Sequence, residues 1–158
     1  MPDTEIRSVM VPVTGADLLL PNATVAEMVG YTEPDPIPEA VDWVLGTILW
    51  HGWQVPVISF SGLIEEADSG EKLENARICI LKTLIDTNRM PYMAIITQGH
   101  PSLVTVTEDN LEEIPSDANP IAVAARVQIE DSEAVIPDLD RLGHLVAHAA
   151  FGALPLTS

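Results

Sequence analysis

Val44-Leu45-Gly46-Thr47-Ile48-Leu49-Trp50-His51-Gly52-Trp53-Gln54-Val55-Pro56-Val57-Ile58-Ser59-Phe60 decides the fold class of this chain. Val44 to Trp50 is apolar and β-prone, Trp53 to Phe60 is a second such run, and His51-Gly52 lies between them. Two runs of that kind separated by a pair ending in glycine predict a β-hairpin that turns at the glycine. The same pattern recurs upstream. Val9, Val11 and Val13 alternate with Met10 and Pro12, which predicts a half-buried strand, and Pro12 places it at a sheet edge. Thr14-Gly15-Ala16-Asp17 predicts a turn, Leu18-Leu19-Leu20 a return strand, and Thr24 to Tyr31 a third strand. Strand alternation puts Val25, Glu27 and Val29 on one face of that third strand, and Ala26, Met28 and Gly30 on the other. Thr32 to Pro38 is irregular, because each proline pushes its predecessor toward extended geometry. Pro38 is placed to open one helical turn over Glu39–Trp43.

Downstream, Ser61 to Glu66 predicts a short helix ahead of an acidic loop that ends near Asn75. Strands are predicted over Ala76–Ile85, Pro91–Thr97, Leu103–Val106, Ile121–Ile129 and Ala134–Ile136, with turns at Asp86–Arg89, Gln98–Pro101 and Glu130–Ser132. Pro137-Asp138 opens a helix over Leu139–Phe151, in which Leu139, Leu142, Leu145 and Val146 recur at helical spacing; Gly152 and Pro155 mark its end. Thirteen prolines and nine glycines cut the chain too finely for a helical bundle. Many short, evenly spaced strands predict a mainly β protein of closed or nearly closed antiparallel barrels. The Glu65–Asn75 loop divides them into two lobes, residues 20–75 and 76–137, in a single domain over residues 5–156. The N-terminal strand and C-terminal helix complete the lobes.

Seven basic and twenty-four acidic residues leave a formal charge of −17, which repels phosphate backbones and anionic lipid. Nucleic-acid binding and membrane insertion are therefore not expected. The acids crowd into Glu65–Glu74, Glu108–Asp117 and Glu130–Asp140, between apolar runs, and read as solvated loops joining buried strands. No apolar run approaches the ~18–20 residues of a membrane span, and the polar, acidic start of the chain is unlike a signal peptide, so the expected location is the cytoplasm. The single cysteine, Cys79, lies in the apolar run Ile78–Leu81 and reads as a buried thiol.

No phosphate-cradling, dinucleotide, nucleophile-elbow or zinc-protease motif is present. His144 and His148 stand one helical turn apart but lack a third ligand at fixed spacing, so no metal or other cofactor is expected. Glu27 and His51 are the candidate acid/base pair. With no nucleophile or oxyanion donors to join them, they read as an ion pair or hydrogen bond that orders a groove, and no catalytic residue is assigned. Trp43, Trp50 and Trp53 cluster around the hairpin, suited to core packing or to an apolar docking surface.

Read together, Leu20-Pro21, Val25-Ala26-Glu27-Met28, Ile37-Pro38, Val44-Leu45-Gly46 and His51-Gly52-Trp53-Gln54-Val55-Pro56-Val57-Ile58 resemble the CheW-like chemotaxis coupling domain. That family carries an LP, a V-x-E-[IV] strand, a proline-rich loop, a glycine and an RG-x-x-[VI]-P-[VI] hairpin at the same spacing. Leu81–Thr97 and Val123–Leu142 look like its second-lobe strands and closing strand-to-helix segment. The resemblance implies two packed five-stranded SH3-like β-barrel lobes with short helices and no enzymatic activity. It implies two partners: the regulatory domain of a CheA-type histidine kinase and the cytoplasmic tip of a chemoreceptor, the latter held in a seam between the lobes. The protein-binding residues it implies are Val25, Glu27, Met28, Gly46, His51 and Gly52. Within the family, the small size and divergent hairpin look most like the independent coupling protein of a type IV pilus (twitching motility) chemosensory pathway. His51 stands where the family has arginine, Leu49 where it has asparagine, and Ser59-Phe60 where it has an acid. An imidazole offers at most one donor per nitrogen and is largely neutral near pH 7, whereas arginine offers a permanently charged fork. Glu27 is expected to face His51, in a weaker and pH-sensitive version of the family's contact.

Overall fold

Ile78, Cys79, Ile80 and Leu81 are all inaccessible to solvent, so their strand has protein on both faces. The side chains alternate accordingly: Cys79 and Leu81 enter one apolar cluster, Ile78 and Ile80 another. That two-sided burial organises the computed structural model, which describes residues 6–13, 16–38, 40–64, 75–83, 90–115, 122–130 and 132–151. The described strands run β1 (Ile6–Val13), β2 (Ala16–Pro21), β3 (Val25–Gly30), β4 (Val44–Trp50), β5 (Trp53–Ile58), β6 (Ala76–Lys82), β7 (Tyr92–Gln98), β8 (Ser102–Val106), β9 (Leu111–Ile114), β10 (Val123–Ile129) and β11 (Ser132–Pro137). A single 3-10 turn, Asn22–Thr24, precedes β3, and the helices are α1 (Phe60–Ile64) and α2 (Leu139–Phe151).

The strands form two sheets, ordered β8-β1-β2-β11-β10-β9 and β3-β6-β7-β5-β4. Each defines one lobe, called here A and B. The fold is mainly β with two lobes, as expected, but lobe A has six strands where five were predicted. Pairing is antiparallel except at β11–β2 and β5–β7, which run parallel.

Three apolar clusters fill the molecule. One lies inside lobe A, around Leu19, Val127, Ile129 and Ala134; another lies inside lobe B, around Ile48, Val55, Val57, Ile78 and Ile80. The third and largest joins the lobes. It takes Val9, Val11, Leu18 and Leu20 from one sheet, Ile58, Leu81, Met93 and Ile95 from the other, and Leu142 and Val146 from α2. Most of the seam between the lobes is thus a packed core. α2 seals it, its Leu142 and Val146 fully buried and its first turn capped by Asp138, whose Oδ1 accepts from the Arg141 N–H at 3.0 Å.

The predicted lobe boundary at residue 76 is wrong. β6 and β7 pair with β3 and β5, so lobe B is built from residues 25–98, while lobe A takes both ends of the strand region, 6–21 and 102–137. The parallel bridge between Leu18 and Val135 brings those ends together. Sequence proximity groups strands into hairpins, but here long-range pairing decides which hairpins share a sheet.

β1 is not an edge strand, because β8 covers it from Ile6 to Met10. Pro12 lies beyond that register and pairs only toward β2, so the missing N–H breaks no ladder on the β8 side. In place of the helical turn expected over residues 39–43, the described residues make two separate hydrogen bonds: Ala40 N–H donates to the Ile37 carbonyl and Val44 N–H to that of Val41. The acidic stretch read as loop contains β9, whose Glu112 and Glu113 project to solvent while Leu111 packs into lobe A. The predicted turns at Thr14-Gly15 and Asp86–Arg89, the acidic loop over 65–74 and the stop at Gly152 and Pro155 lie outside the described residues.

Candidate docking site

The site is built on the tip of the β4–β5 hairpin. Trp50 pairs directly with Trp53, leaving His51-Gly52 as a two-residue loop. Both loop residues have positive φ, 49° at His51 and 83° at Gly52, the pattern of a type I′ turn whose twist matches that of paired strands. Histidine is among the few non-glycine residues that enter this region with any frequency, and glycine enters it freely. The hairpin is stiffened from within by the Thr47 hydroxyl, which donates to Gln54 Oε1 at 2.8 Å.

Gly46 serves the backbone. It is buried, its φ is +144°, and an added Cβ would stand 2.2 Å from the Asp35 carbonyl oxygen. That close approach lets Asp35 and Thr47 exchange two backbone hydrogen bonds, of 2.8 and 2.9 Å, which tie the proline-rich segment along β4. Gly46 therefore shapes the site from beneath and is not itself exposed.

β3 lies at one end of the lobe B sheet and β4 at the other. Side chains bring the two ends together: Trp50 Nε1 donates to Glu27 Oε1 at 3.1 Å. His51 Nε2 is 3.8 Å from the same oxygen, beyond hydrogen-bond reach, and the two side chains are 68% and 48% exposed. An exposed ion pair of this kind contributes roughly 0–1 kcal/mol, and only while the imidazole is protonated. The expectation that Glu27 faces His51 holds for proximity, but the hydrogen bond comes from Trp50, which the sequence suggests only as core packing or an apolar docking surface. The Trp50 ring is fixed in turn, 4.7 Å from the Tyr92 ring and edge-on to it, and 4.2 Å from the His51 ring, all between centroids. Its pairing opposite Trp53 across a two-residue turn was the signal available in the sequence.

The remaining candidates divide between two surfaces. A register shift between Val25 and Glu27 places a bulge at Ala26. One extra residue reverses the alternation at that point, so Val25 lies with Met28 on the inter-lobe side, while Ala26 and Val29 face the interior of lobe B. The predicted grouping of Val25 with Glu27 and Val29 is thereby corrected. Val25 and Met28 are half-buried at the margin of the inter-lobe core, and Glu27 is exposed at the rim of lobe B.

The three tryptophans have separate fates. Trp43 packs on the inter-lobe core, Trp50 on the lobe B interior, and Trp53 is 38% exposed at the hairpin tip. Cys79 is buried on β6, and burial pushes its thiol pKa up to about 12, so at neutral pH it is an inert protonated thiol. His144 Nδ1 lies 2.8 Å from the Asp140 carbonyl oxygen one turn back, and both His144 and His148 face solvent. No cluster of three or more metal-ligating side chains occurs among the described residues. The open clefts on lobe A, of about 460 and 570 Å³, are lined by Asp17, His100 and Glu130 and by Glu108, Asp109 and Glu112, away from this hairpin. Among the described residues, no helix is long and apolar enough to cross a membrane.

Comparison with known proteins agrees with this architecture. The crystal structure of the scaffolding protein TtCheW from Thermoanaerobacter tengcongensis superposes with a TM-score of 0.70, at 20% sequence identity, over 89% of this chain and 86% of that one. A search of curated protein sequences finds no match. The model of the CheW-like domain matches residues 7–146. The chain therefore belongs to the CheW-like domain family, a family of non-enzymatic scaffold adaptors.

Proposed function

We propose that this protein is a chemotaxis coupling protein that joins the cytoplasmic tip of a chemoreceptor to the regulatory domain of a CheA-type histidine kinase. The observation that carries the reading is Glu27, a half-exposed carboxylate oriented by a hydrogen bond at the rim of lobe B, next to a rigid type I′ corner. An acid that merely solvates a strand has no need of an indole donor at 3.1 Å. Val25 and Met28 at the seam, and the exposed Leu49 and Trp53 on the hairpin, add apolar area of the kind that anchors protein interfaces. Such an adaptor acts by holding its partners in register. Micromolar contacts suffice where several operate together in an array. The divergent corner, His51 in place of arginine and Leu49 in place of asparagine, supports placing the chain with ChpC, the coupling protein of the type IV pilus system that drives twitching motility.

Titration calorimetry tests the two arms separately. Wild-type protein is expected to bind both a receptor-tip fragment and the kinase regulatory domain. Glu27→Gln is expected to lose receptor affinity by roughly tenfold or more while keeping the kinase contact. Binding to neither partner overturns the proposal. The 3.8 Å contact that replaces the arginine fork favours one second reading: a member that no longer couples receptors and keeps a regulatory or small-ligand role. Kinase binding without receptor binding would select it.

A further inference from the structure

The imidazole inherits the corner of the hairpin, but it does not hold the carboxylate. We propose that Trp50 is the positioning residue for Glu27, and that the partner group facing that carboxylate is a lysine or arginine. This inference rests on the reading of Glu27 as a docking residue.

The geometry assigns the two neighbours different roles. Trp50 is the last residue of β4, paired across the turn with Trp53 and packed into the lobe B cluster. That packing and the edge-on ring of Tyr92, at 4.7 Å, orient the indole, with the exposed His51 ring at 4.2 Å on its outer side. The indole N–H donates to Glu27 Oε1, at 3.1 Å. The bond also ties together the two terminal strands of the lobe B sheet, which share no ladder. His51, by contrast, is 68% exposed at the outermost point of the hairpin and 3.8 Å away.

The chemistry of the donor sets the chemistry of the partner. An arginine fork orients a glutamate and neutralises it together. An indole is donor-only and carries no charge, so it orients the carboxylate and leaves the full negative charge for an incoming group. Among the described residues, His51 is the single titratable cation within ion-pair reach of Glu27, at 3.8 Å and exposed to water, so it leaves the carboxylate open to an incoming group. A basic side chain on the partner completes the pair. Trp50 itself does not titrate, so its N–H remains a donor whatever the pH.

The first test needs no partner. In a ¹⁵N-labelled sample the three indole N–H signals are assigned with Trp50→Phe and Trp53→Phe. The Trp50 indole N–H signal is expected to move in Glu27→Gln at constant pH, as its charged acceptor is lost, and to move further than either other indole signal. A Trp50 signal that stays in place in Glu27→Gln overturns the positioning role whatever the protein binds. The second test uses a receptor-tip fragment. Trp50→Phe is expected to weaken binding about five- to tenfold, the loss of one charge-assisted hydrogen bond, while His51→Ala changes it less than twofold. Wild-type affinity is expected to drop on replacing the basic residues of the tip by glutamine. A larger loss in His51→Ala than in Trp50→Phe overturns the proposal. A Trp50 signal that moves in Glu27→Gln while receptor affinity does not shows instead that the docking reading is wrong. If Trp50→Phe unfolds, the Glu27→Gln comparison on the native scaffold decides alone.

Discussion

A methyl group at Gly46 has no room. It would meet the Asp35 carbonyl oxygen at 2.2 Å and its carbon at 2.6 Å, both rigid backbone atoms, at a φ that L-residues avoid. Gly46→Ala is therefore expected to lose at least ~3 kcal/mol of stability in urea unfolding, because relieving the clash breaks the Asp35–Thr47 bridge as well. Cys79 makes the complementary point about a group that fits too well to react. Its thiol is held near pKa 12 by burial, against an ordinary value of 9.0, so below pH 9 both folded and unfolded chains carry it protonated. Between pH 9 and about 12 the unfolded chain ionises and the folded one does not, so stability falls as pH rises through that window. At pH 8 a thiol reagent is expected to modify Cys79 no faster than the protein unfolds, and rapid stoichiometric labelling of native protein would contradict its burial. Both residues were singled out in the sequence, Gly46 as part of a binding pattern and Cys79 as a small buried side chain. The steric reason for Gly46 was not legible, since it depends on a chain segment eleven residues away.

At the scale of elements, those with strong local signals formed where their residues said they would. β4 spans Val44–Trp50 and α2 spans Leu139–Phe151, as read from the hairpin pattern and from the proline-aspartate start of the helix. The Leu142 side chain is inaccessible on the seam side of α2, so Leu142→Ala is expected to cost 2–5 kcal/mol, measured as a lower midpoint in thermal unfolding. Elements with divided signals were missed or misread. β9 has two consecutive exposed glutamates between half-buried ends, a pattern that shows no alternation. β3 was found, but the bulge at Ala26 reversed its faces before Glu27. A bulge is invisible to periodicity, because it is the partner strand that sets the register.

The whole molecule has a core shared by two sheets, and this limits how it can be divided. Lobe B is contiguous from Val25 to Gln98, which invites its expression alone. Its Cys79, Leu81, Met93 and Ile95 would then lose their cover from β1, β2 and α2. A fragment of residues 22–99 is expected to bind a hydrophobic dye and to unfold without a cooperative transition. A sharp calorimetric transition in that fragment would show the lobes to be independent. Lobe A cannot be cut out as one piece at all, because its strands come from both sides of lobe B.

By itself the sequence determined that this protein is mainly β, where its central hairpin turns, where its closing helix lies and which family it resembles. These are local properties: a two-residue turn, a helical spacing and a run of strand-forming residues each act over a few positions. Tertiary structure alone decided how the strands divide between sheets, which face of β3 each side chain takes, and that Trp50 holds Glu27. Periodicity says that a face is buried but not what buries it, and the Trp50–Glu27 bond joins residues 23 apart in the chain that meet only when the ends of a sheet curl together.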